Sequence, residues 1–160
     1  MAYSVAVTSG KGGVGKTSIA INLGMTLSRE GQRVCLLDTD FGLANAHILL
    51  GVNPQKTISD LLNDRATMSE LPCNGPSGLK LVAGGSGLTD LLKIDENIRN
   101  QIIRSTEALR DDLDVLIVDV PAGANDSAID IIAAADRVLV VLVGEPTSFT
   151  DAYTLIKACS

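Results

Sequence analysis

The chain has 160 residues, of which 46% are hydrophobic and 20% are charged, a composition typical of globular proteins that excludes disordered, collagenous and coiled-coil classes. A chain of this length buries roughly two-thirds of its unfolded surface without disulfides, so we expect a single folded domain over residues 1–160. The net charge of −6 and the aromatic content of 2% argue against DNA-backbone contacts and against base stacking.

Short apolar runs predict the strands of a parallel sheet. They cover residues 5–7, 34–37, 79–83, 115–118 and 138–143. Because these runs are apolar almost throughout and do not alternate, we expect strands that are buried on both faces. The stretch 72–87 is rich in Gly, Pro, Ser and Asn, and it predicts a loop around the third strand.

Segments with helical spacing lie between these runs. Ile19, Leu23 and Leu27 recur every four residues after the first strand, and Thr57 with Asp60 marks the start of a short second helix. Three further helices are indicated by apolar residues at helical spacing, namely Ile98, Ile102, Ile103 and Leu109, then Ile129, Ile131 and Ile132, and last Ala152, Leu155, Ile156 and Cys159. Strands alternating with helices predict a doubly wound α/β domain, with helices on both faces of a mostly parallel sheet.

Two features of the sequence indicate where the protein is found in the cell, namely the run 138–143 and the N-terminus. This run is the longest aliphatic one, and it is far shorter than the roughly 18 residues that a membrane-spanning helix needs. The first four residues lack the basic and apolar regions of a secretory signal, so a cytoplasmic protein is predicted. Because so apolar a run is unfavourable at an open sheet edge, we also expect the natural protein to continue on the C-terminal side.

A glycine-rich segment follows the first predicted strand and precedes the first predicted helix. It fits G-x-x-x-x-G-K-[ST] and consists of Gly10, Lys11, Gly12, Gly13, Val14, Gly15, Lys16 and Thr17, with Ser18 next. Glycines let the backbone curl so that its N–H groups point at phosphate oxygens, and the helix N-terminus adds partial positive charge. We expect Lys16 to contact the β- and γ-phosphates of a nucleotide and the Thr17 hydroxyl to bind Mg²⁺. The alternative is a glycine-rich turn that binds nothing.

Aspartates follow two of the predicted strands, at the edge where open α/β sheets bind ligands. Asp38 and Asp40 come after the run 34–37, and Asp119 comes after the run 115–118. In P-loop enzymes a strand-end aspartate holds the hydration shell of Mg²⁺, since this hard cation keeps part of its water, and Asp119 fits that role. For any one of these aspartates the alternative is the capping of a turn or of a helix N-terminus.

The sequence K-G-G-V-G-K-T at 11–17 is the deviant Walker A motif and resembles the MinD/ParA family of dimerising ATPases. In that family the early lysine, here Lys11, reaches across the dimer to the partner's nucleotide. The resemblance therefore implies an ATP-dependent homodimer that hydrolyses ATP to ADP and phosphate. Residues 38–43 resemble its switch I, in which Asp40 would position the attacking water and Asp38 would lie close to the metal. Residues 119–123 resemble its switch II, in which the Gly123 amide would sense the γ-phosphate.

Residues 42–45 and 49–52, together with residues 145–153 and 156–157, resemble the flagellar-number branch of this family. That branch implies a cytoplasmic ATPase switch that regulates flagellar number or placement, with an FlhF-type GTPase and flagellar switch components as partners. Peripheral attachment to the inner membrane is expected only in a longer protein, through a C-terminal amphipathic helix outside these 160 residues. Asn45 matches a polar switch I position, whereas His47 departs from the branch pattern and is predicted to be an exposed helix residue.

Other functions stay open on the sequence alone. A DNA-partition ATPase of the ParA type needs a cationic surface, which the charge of −6 does not favour. A nucleotide-binding adaptor without hydrolysis would keep the loop and use the fold for docking. Iron–sulfur relatives require paired cysteines at a dimer interface, whereas Cys35 is expected inside a strand and Cys73 is isolated. With Cys159, these cysteines have no metal-ligand spacing, so neither a disulfide framework nor a zinc site is expected.

Overall fold

A computed structural model describes residues 2–41, 45–85 and 95–160 as strands and helices that alternate along the chain. The strands are β1 Tyr3–Thr8, β2 Val34–Asp38, β3 Cys73–Asn74, β4 Lys80–Val82, β5 Val115–Asp119 and β6 Arg137–Val140. The helices are α1 Lys16–Arg29, α2 Ala46–Leu50, α3 Ile58–Leu62, α4 Glu96–Ser105, α5 Asp126–Ala133 and α6 Pro146–Ala158. Short 3-10 turns cover Met68–Glu70, Pro76–Gly78 and Thr106–Leu109.

The described strands form one sheet in the order β3-β4-β2-β5-β1-β6. Neighbouring strands from β4 to β6 are parallel, and the pair β3–β4 is antiparallel. β5 lies between β2 and β1, so Asp38 at the end of β2 is in register with Asp119 at the end of β5. This mostly parallel, doubly wound sheet confirms the predicted fold class.

Two buried clusters, one on each face of the sheet, make up the core. Leu36 and Ile117 point to the face covered by α1 and α2. Their strand neighbours Leu37 and Val118 point to the face covered by α3, α4, α5 and α6. Burial of one such aliphatic side chain stabilises the fold by about 1.5–3 kcal/mol, so the apolar runs of β2 and β5 hold both helical layers. The predicted burial on both faces is confirmed for these central strands.

Local capping explains where several helices begin. Thr57 and Asp60 form a capping box at the start of α3, as their spacing predicts. The side chain of Asp95 accepts the N–H of Ile98 at the start of α4, at 2.9 Å. Asn125 caps α5 in the same way. Each contact binds a backbone N–H that has no partner within the helix, which stabilises the helix start by about 1 kcal/mol.

The structure corrects two predictions about strands. Part of the stretch 72–87 is not a loop, because Cys73 and Asn74 pair antiparallel with Leu81 and Lys80. Residues 86 and 87 of that stretch lie outside the described residues. The run 138–143 is not buried on both faces, since Val138 is 44% and Leu139 is 39% exposed. β6 pairs with β1 on one side, and in the described parts of the chain no strand covers its other side.

Helices also differ from the sequence pattern in detail. The sequence predicts a helix at His47 but not its bounds, because the five residues of α2 are too few for a clear period. Leu109 lies in a 3-10 turn after α4 and not in the helix itself. On α6, Ala152 and Leu155 are buried, whereas Ile156 and Cys159 are exposed and do not share the inner side as predicted. None of the helices in the described ranges is long and apolar enough to cross a bilayer.

Candidate nucleotide-binding site

The loop between β1 and α1 is shaped by glycines at both ends. Gly15 directly precedes α1 with φ of 88°, a left-handed conformation that glycine adopts without a Cβ clash. Gly10 packs against α6 so closely that a Cβ there would lie 2.3 Å from the carbonyl carbon of Asp151. The Ser9 hydroxyl donates to the Lys11 carbonyl at 2.8 Å. The loop is therefore positioned by its own backbone at one end and by α6 at the other.

The N-terminus of α1 has no side-chain cap within the described residues. Its first turn also contains no acidic residue, whereas α4 and α5 begin with capping side chains. The free N–H groups and the helix dipole at this end attract an anion. Since the glycine-rich loop leads directly into this helix, the geometry fits the binding of a phosphate group.

Lys16, Thr17 and Asp119 contact one another at the start of α1. The Lys16 ammonium forms an ion pair with the Asp119 carboxylate, and both side chains are less than a tenth exposed. The Thr17 hydroxyl donates to the other carboxylate oxygen at 2.6 Å. Asp119 reaches this point because it ends β5, which lies beside β1 in the sheet. The structure thus brings together the groups that the sequence predicts for phosphate and for Mg²⁺.

Asp38 lies beside this group at the end of β2 and is 1% exposed. Its carboxylate accepts the backbone N–H of Asp40 at 3.1 Å and that of Ala46 at 3.3 Å. Burial raises the pKa of Asp38 to about 6, and the charge of Asp119 acts in the same direction, while the N–H donors oppose the shift. The site therefore contains a carboxylate for which a cation would be a favourable neighbour.

The switch I segment is described only in part. Asp40 is half-buried, and Gly42, Leu43 and Ala44 lie outside the described residues. Asn45 is exposed and directly precedes α2, where its side chain makes no cap hydrogen bond. His47 lies within α2, as predicted, but it is half-buried, and its Nδ1 atom has no hydrogen-bond partner among the residues described.

Lys11 and Gly123 have partners that sequence reasoning missed. The Lys11 ammonium lies 3.2 Å from a carboxylate oxygen of Glu145, with both side chains well exposed. The Gly123 N–H donates to the Ser9 carbonyl at 2.8 Å. Lys11 is therefore not joined to the group around Asp119. No local signal could reveal these contacts, because both connect positions more than a hundred residues apart.

The donor set at the loop fits a magnesium nucleotide. The Thr17 hydroxyl and the carboxylates of Asp38 and Asp119 are hard oxygen ligands, which Mg²⁺ prefers. Mg²⁺ is usually bound by one or two protein oxygens together with phosphates and water. Such a site needs no larger cluster, and the described residues contain no group of three or more His, Cys, Asp or Glu side chains able to hold a metal. Lys16 and the α1 N-terminus supply positive charge for the phosphates.

The sheet topology and the loop together define a nucleotide-binding protein of the P-loop class. A family described as "ParA: NUBPL iron-transfer P-loop NTPase" matches residues 1–159. The chain belongs to the ParA/MinD family of P-loop NTPases, which confirms the family predicted from the loop and the switch segments.

Known relatives place the chain near the flagellar branch. The antiactivator FleN of Pseudomonas aeruginosa is 43% identical over 96% of this chain and 55% of FleN. The flagellum site-determining protein YlxH of Helicobacter pylori is 37% identical over 96% of this chain and 52% of YlxH. The cell division ATPase MinD of Pyrococcus furiosus has a TM-score of 0.85 at 28% identity, over 99% of this chain and 68% of that one. The chain thus spans about half the length of FleN and of YlxH.

The cysteines are placed on separate elements. Cys35 is fully buried in β2, as predicted, and burial raises the pKa of its thiol to about 12. Cys73 is half-buried on β3, and Cys159 is exposed after α6. A thiol is a metal ligand as the thiolate, so burial makes Cys35 a poor one.

Proposed function

We propose that the chain is the nucleotide-binding part of a MinD-like ATPase switch that hydrolyses ATP to ADP and phosphate. The observation that carries this proposal is the contact of Lys16 and Thr17 with Asp119 at the mouth of the loop. A buried lysine–aspartate pair is weak evidence for stability, because both charges leave water. Such a pair next to an uncapped helix N-terminus is better explained by a ligand that both side chains bind.

Nucleotide binding would rearrange these contacts. In the proposed complex the loop N–H groups of residues 10–18 surround the phosphates, and Lys16 exchanges the carboxylate of Asp119 for phosphate oxygens. Thr17 and Asp119, with Asp38 beside them, would hold Mg²⁺, which neutralises charge on the β- and γ-phosphates when bound. The pKa of Asp38, raised by burial, would fall as the cation replaces the missing solvent.

Hydrolysis would use Asp40 and Lys11. Asp40 lies two residues after the buried end of β2 and would position the attacking water. Lys11 would leave Glu145 and reach the nucleotide of a second chain, so turnover requires an ATP-dependent homodimer. The exchange is feasible because an exposed ion pair of this kind contributes only about 0–1 kcal/mol.

The nucleotide state would be read by Gly123. Its N–H donates to the Ser9 carbonyl in this structure, and in the ATP state it would bind the γ-phosphate instead. Gly123 lies three residues before α5. A change of partner at Gly123 would therefore move the start of that helix, which gives a physical basis for partner recruitment that depends on ATP.

A flagellar role for the whole protein is supported by the names of its relatives, an antiactivator and a flagellum site-determining protein. We propose that it regulates flagellar number or placement from the cytoplasm, with an FlhF-type GTPase and flagellar switch components as partners. Attachment at the inner membrane would come from residues outside this chain. The net charge of −6 makes a nucleic-acid partner unfavourable.

The mechanism is tested by steady-state ATP hydrolysis of the full-length protein and of single variants. Lys11→Ala and Asp40→Ala are expected to lower turnover about tenfold or more, because each removes a group that acts on the reacting phosphate or water. Lys56→Ala is a matched control, since this exposed lysine pairs with Glu70 away from the loop. Unchanged turnover in both site variants would refute the roles given to Lys11 and Asp40.

Size measurements test the dimer and separate the alternatives. With a nonhydrolysable ATP analogue the full-length protein is expected to double in mass relative to the ADP state, and a monomer in both states would contradict the role of Lys11. Nucleotide binding without turnover, with equal partner affinity in both nucleotide states, would instead favour a non-hydrolytic adaptor. A salt-dependent shift of nonspecific DNA would favour a DNA-partition ATPase.

A further inference from the structure

A cavity of about 130 Å³ lies between the central strands and the helices α4 and α5. Its floor is formed by Leu37 of β2 and Val118 of β5, and its walls include Ile102 of α4 and Ile131 of α5. Three of these side chains, Leu37, Val118 and Ile102, are less than a tenth exposed. The cavity is on the opposite sheet face from α1, and the described residues that line it do not include the phosphate loop.

The size and polarity of the interior limit what it can hold. An apolar cavity of about 150 Å³ in a protein binds benzene and stays free of water, because water needs two to four polar partners. The space here is of similar volume, and the buried side chains that line it are aliphatic except for Thr39. Its interior therefore fits a single aromatic ring or a short alkyl chain and is unfavourable for a strongly polar group.

The mouth of the cavity carries a positive charge. Arg104 and Arg110 line it and are exposed, and neither forms a salt bridge within the described residues. One acid, Glu107, lines the same mouth. Hydrogen bonds from Ser4 lower the pKa of Asp136, and the charge of Arg110 acts in the same direction. Arg99 lines the cavity as well.

Arg99 is already used by the protein. Its guanidinium lies 2.7 Å from an Asp130 carboxylate oxygen and joins α4 to α5. It therefore closes the cavity between the two helices and leaves Arg104 and Arg110 as the cations that face an incoming ligand. Glu107 lines the mouth and Asp136 interacts with Arg110, so Arg104 is the cation that most favours an anion there.

We propose that this cavity is a binding site for a small carboxylate with one aromatic ring or a short alkyl chain. The apolar part enters between Leu37, Val118 and Ile131, and the carboxylate stays at the mouth with Arg104 and Arg110. Guanidinium groups bind carboxylates through charge-assisted, often bidentate hydrogen bonds. The proposal goes beyond the proposed ATPase function and does not depend on it.

Binding of 4-fluorobenzoate to the full-length protein, followed by fluorine NMR, tests this proposal. We expect saturable binding with a dissociation constant of about 1 mM or tighter, in line with the ligand's size. Arg104→Gln is expected to weaken binding about tenfold, because a charge-assisted hydrogen bond is lost. Arg29→Gln, which removes an exposed arginine from α1 on the other sheet face, is expected to leave binding unchanged.

Two further experiments test the role of the apolar interior of the cavity and the role of the ligand's negative charge. Ala134→Phe places a ring into the cavity from an exposed position at the end of α5 and is expected to abolish binding, with near-native circular dichroism. Neutral 4-fluorobenzyl alcohol is expected to bind at least about tenfold more weakly than 4-fluorobenzoate. The proposal is overturned by absence of saturable binding, by equal binding of acid and alcohol, or by Arg104→Gln and Arg29→Gln having the same effect. If Ala134→Phe disturbs folding, the two arginine variants and 4-fluorobenzyl alcohol still test the proposal.

Discussion

The carboxylate of Asp38 is among the most deeply buried charged groups in the described chain. Two backbone N–H groups bind its oxygens, and no salt bridge joins it to a cation in the parts that the structure describes. Removing a charge from water without a counterion is unfavourable, and this explains why burial raises the pKa of Asp38 to about 6. The buried charge of Asp38 therefore lowers the stability of the folded protein, and the same charge would raise the affinity of the site for a cation.

Replacement of Asp38 by Asn is expected to stabilise the nucleotide-free protein. Above pH 6 the carboxylate is ionised in both the folded and the unfolded state, so the neutral amide removes an unfavourable buried charge, worth on the order of 2 kcal/mol. The gain should fade as the pH falls from about 6 towards 4, because the folded wild type then takes up the proton first. Urea denaturation of both proteins at pH 7.5 and pH 4.5 measures this difference in the free energy of unfolding. An equal or lower stability of the variant at pH 7.5 would contradict this account.

Asp114 is the opposite case, an exposed carboxylate with strong partners. It accepts the Arg33 backbone N–H at 2.8 Å and the Arg33 guanidinium at 2.8 Å, which lowers the pKa of Asp114 to about 2. A lowered folded-state pKa stabilises the fold above pH 4, and this stabilisation is lost as the pH falls towards 2. We expect Asp114→Asn to reduce the loss of stability between pH 4.5 and pH 2.5, measured by urea midpoints. The control Asp64→Asn removes an exposed carboxylate elsewhere and is expected to keep the wild-type pH dependence.

At the scale of elements, α6 supports the phosphate loop. Pro146 opens the helix, and the buried Ser148 hydroxyl accepts the Val143 N–H at 3.1 Å, which joins the helix to the end of the sheet. The helix backbone at Asp151 then lies directly against Gly10. The first residue of the phosphate loop is therefore positioned by an element more than a hundred residues later in the chain.

Substitution of Gly10 by Ala is expected to move α6 away from the loop. The added Cβ would lie 2.3 Å from the Asp151 carbonyl carbon, and backbone cannot rotate aside as a flexible side chain can. We expect a loss of about 1–3 kcal/mol of unfolding free energy and weaker binding of fluorescent ATP analogues. Gly12→Ala is the matched control for stability, because no atom lies within 4 Å of a Cβ at that position. Equal stability of the two variants would show that α6 does not contact the loop in this way.

At the scale of the whole molecule, the sheet formed by the described residues ends at an exposed apolar strand. Val138 and Leu139 of β6 are about two-fifths exposed, and Phe149 and Tyr153 on the neighbouring α6 are exposed by more than half. Unpaired strand groups beside apolar side chains favour association with other chains. The 160-residue chain by itself is therefore expected to self-associate through β6.

Leu139→Lys tests this expectation, since a lysine on an edge strand opposes edge-to-edge pairing. We expect sedimentation equilibrium to show a dissociation constant about tenfold higher than that of the unmodified 160-residue chain. Ile48→Lys replaces a side chain that is 66% exposed on α2, away from the sheet edge, and is the control for added charge. A monomeric unmodified chain, or equal effects of the two lysines, would rule out association through β6.

Particular residues show why prediction succeeded or failed. The capping box of Thr57 and Asp60 and the loop at 10–17 depend on neighbours in the sequence, so both could be located from residue types and spacing. The strand at Cys73 and Asn74 could not, because two residues have no period and their pairing with β4 is formed across a turn. The exposure of Val138 and Leu139 was missed because an apolar run does not reveal whether another strand lies beside it.

The sequence by itself determined the alternation of strands and helices, the phosphate loop and the aspartates at strand ends. Each of these features depends on residues that are close neighbours in the sequence. Only the tertiary structure decided the strand order and hence which groups meet. It placed Asp119 against Lys16, Glu145 against Lys11 and Ser9 against Gly123, pairs that are all more than a hundred positions apart. The physical reason is that these contacts form only when the whole chain folds and buries both faces of the sheet. A short stretch of sequence carries no information about that arrangement.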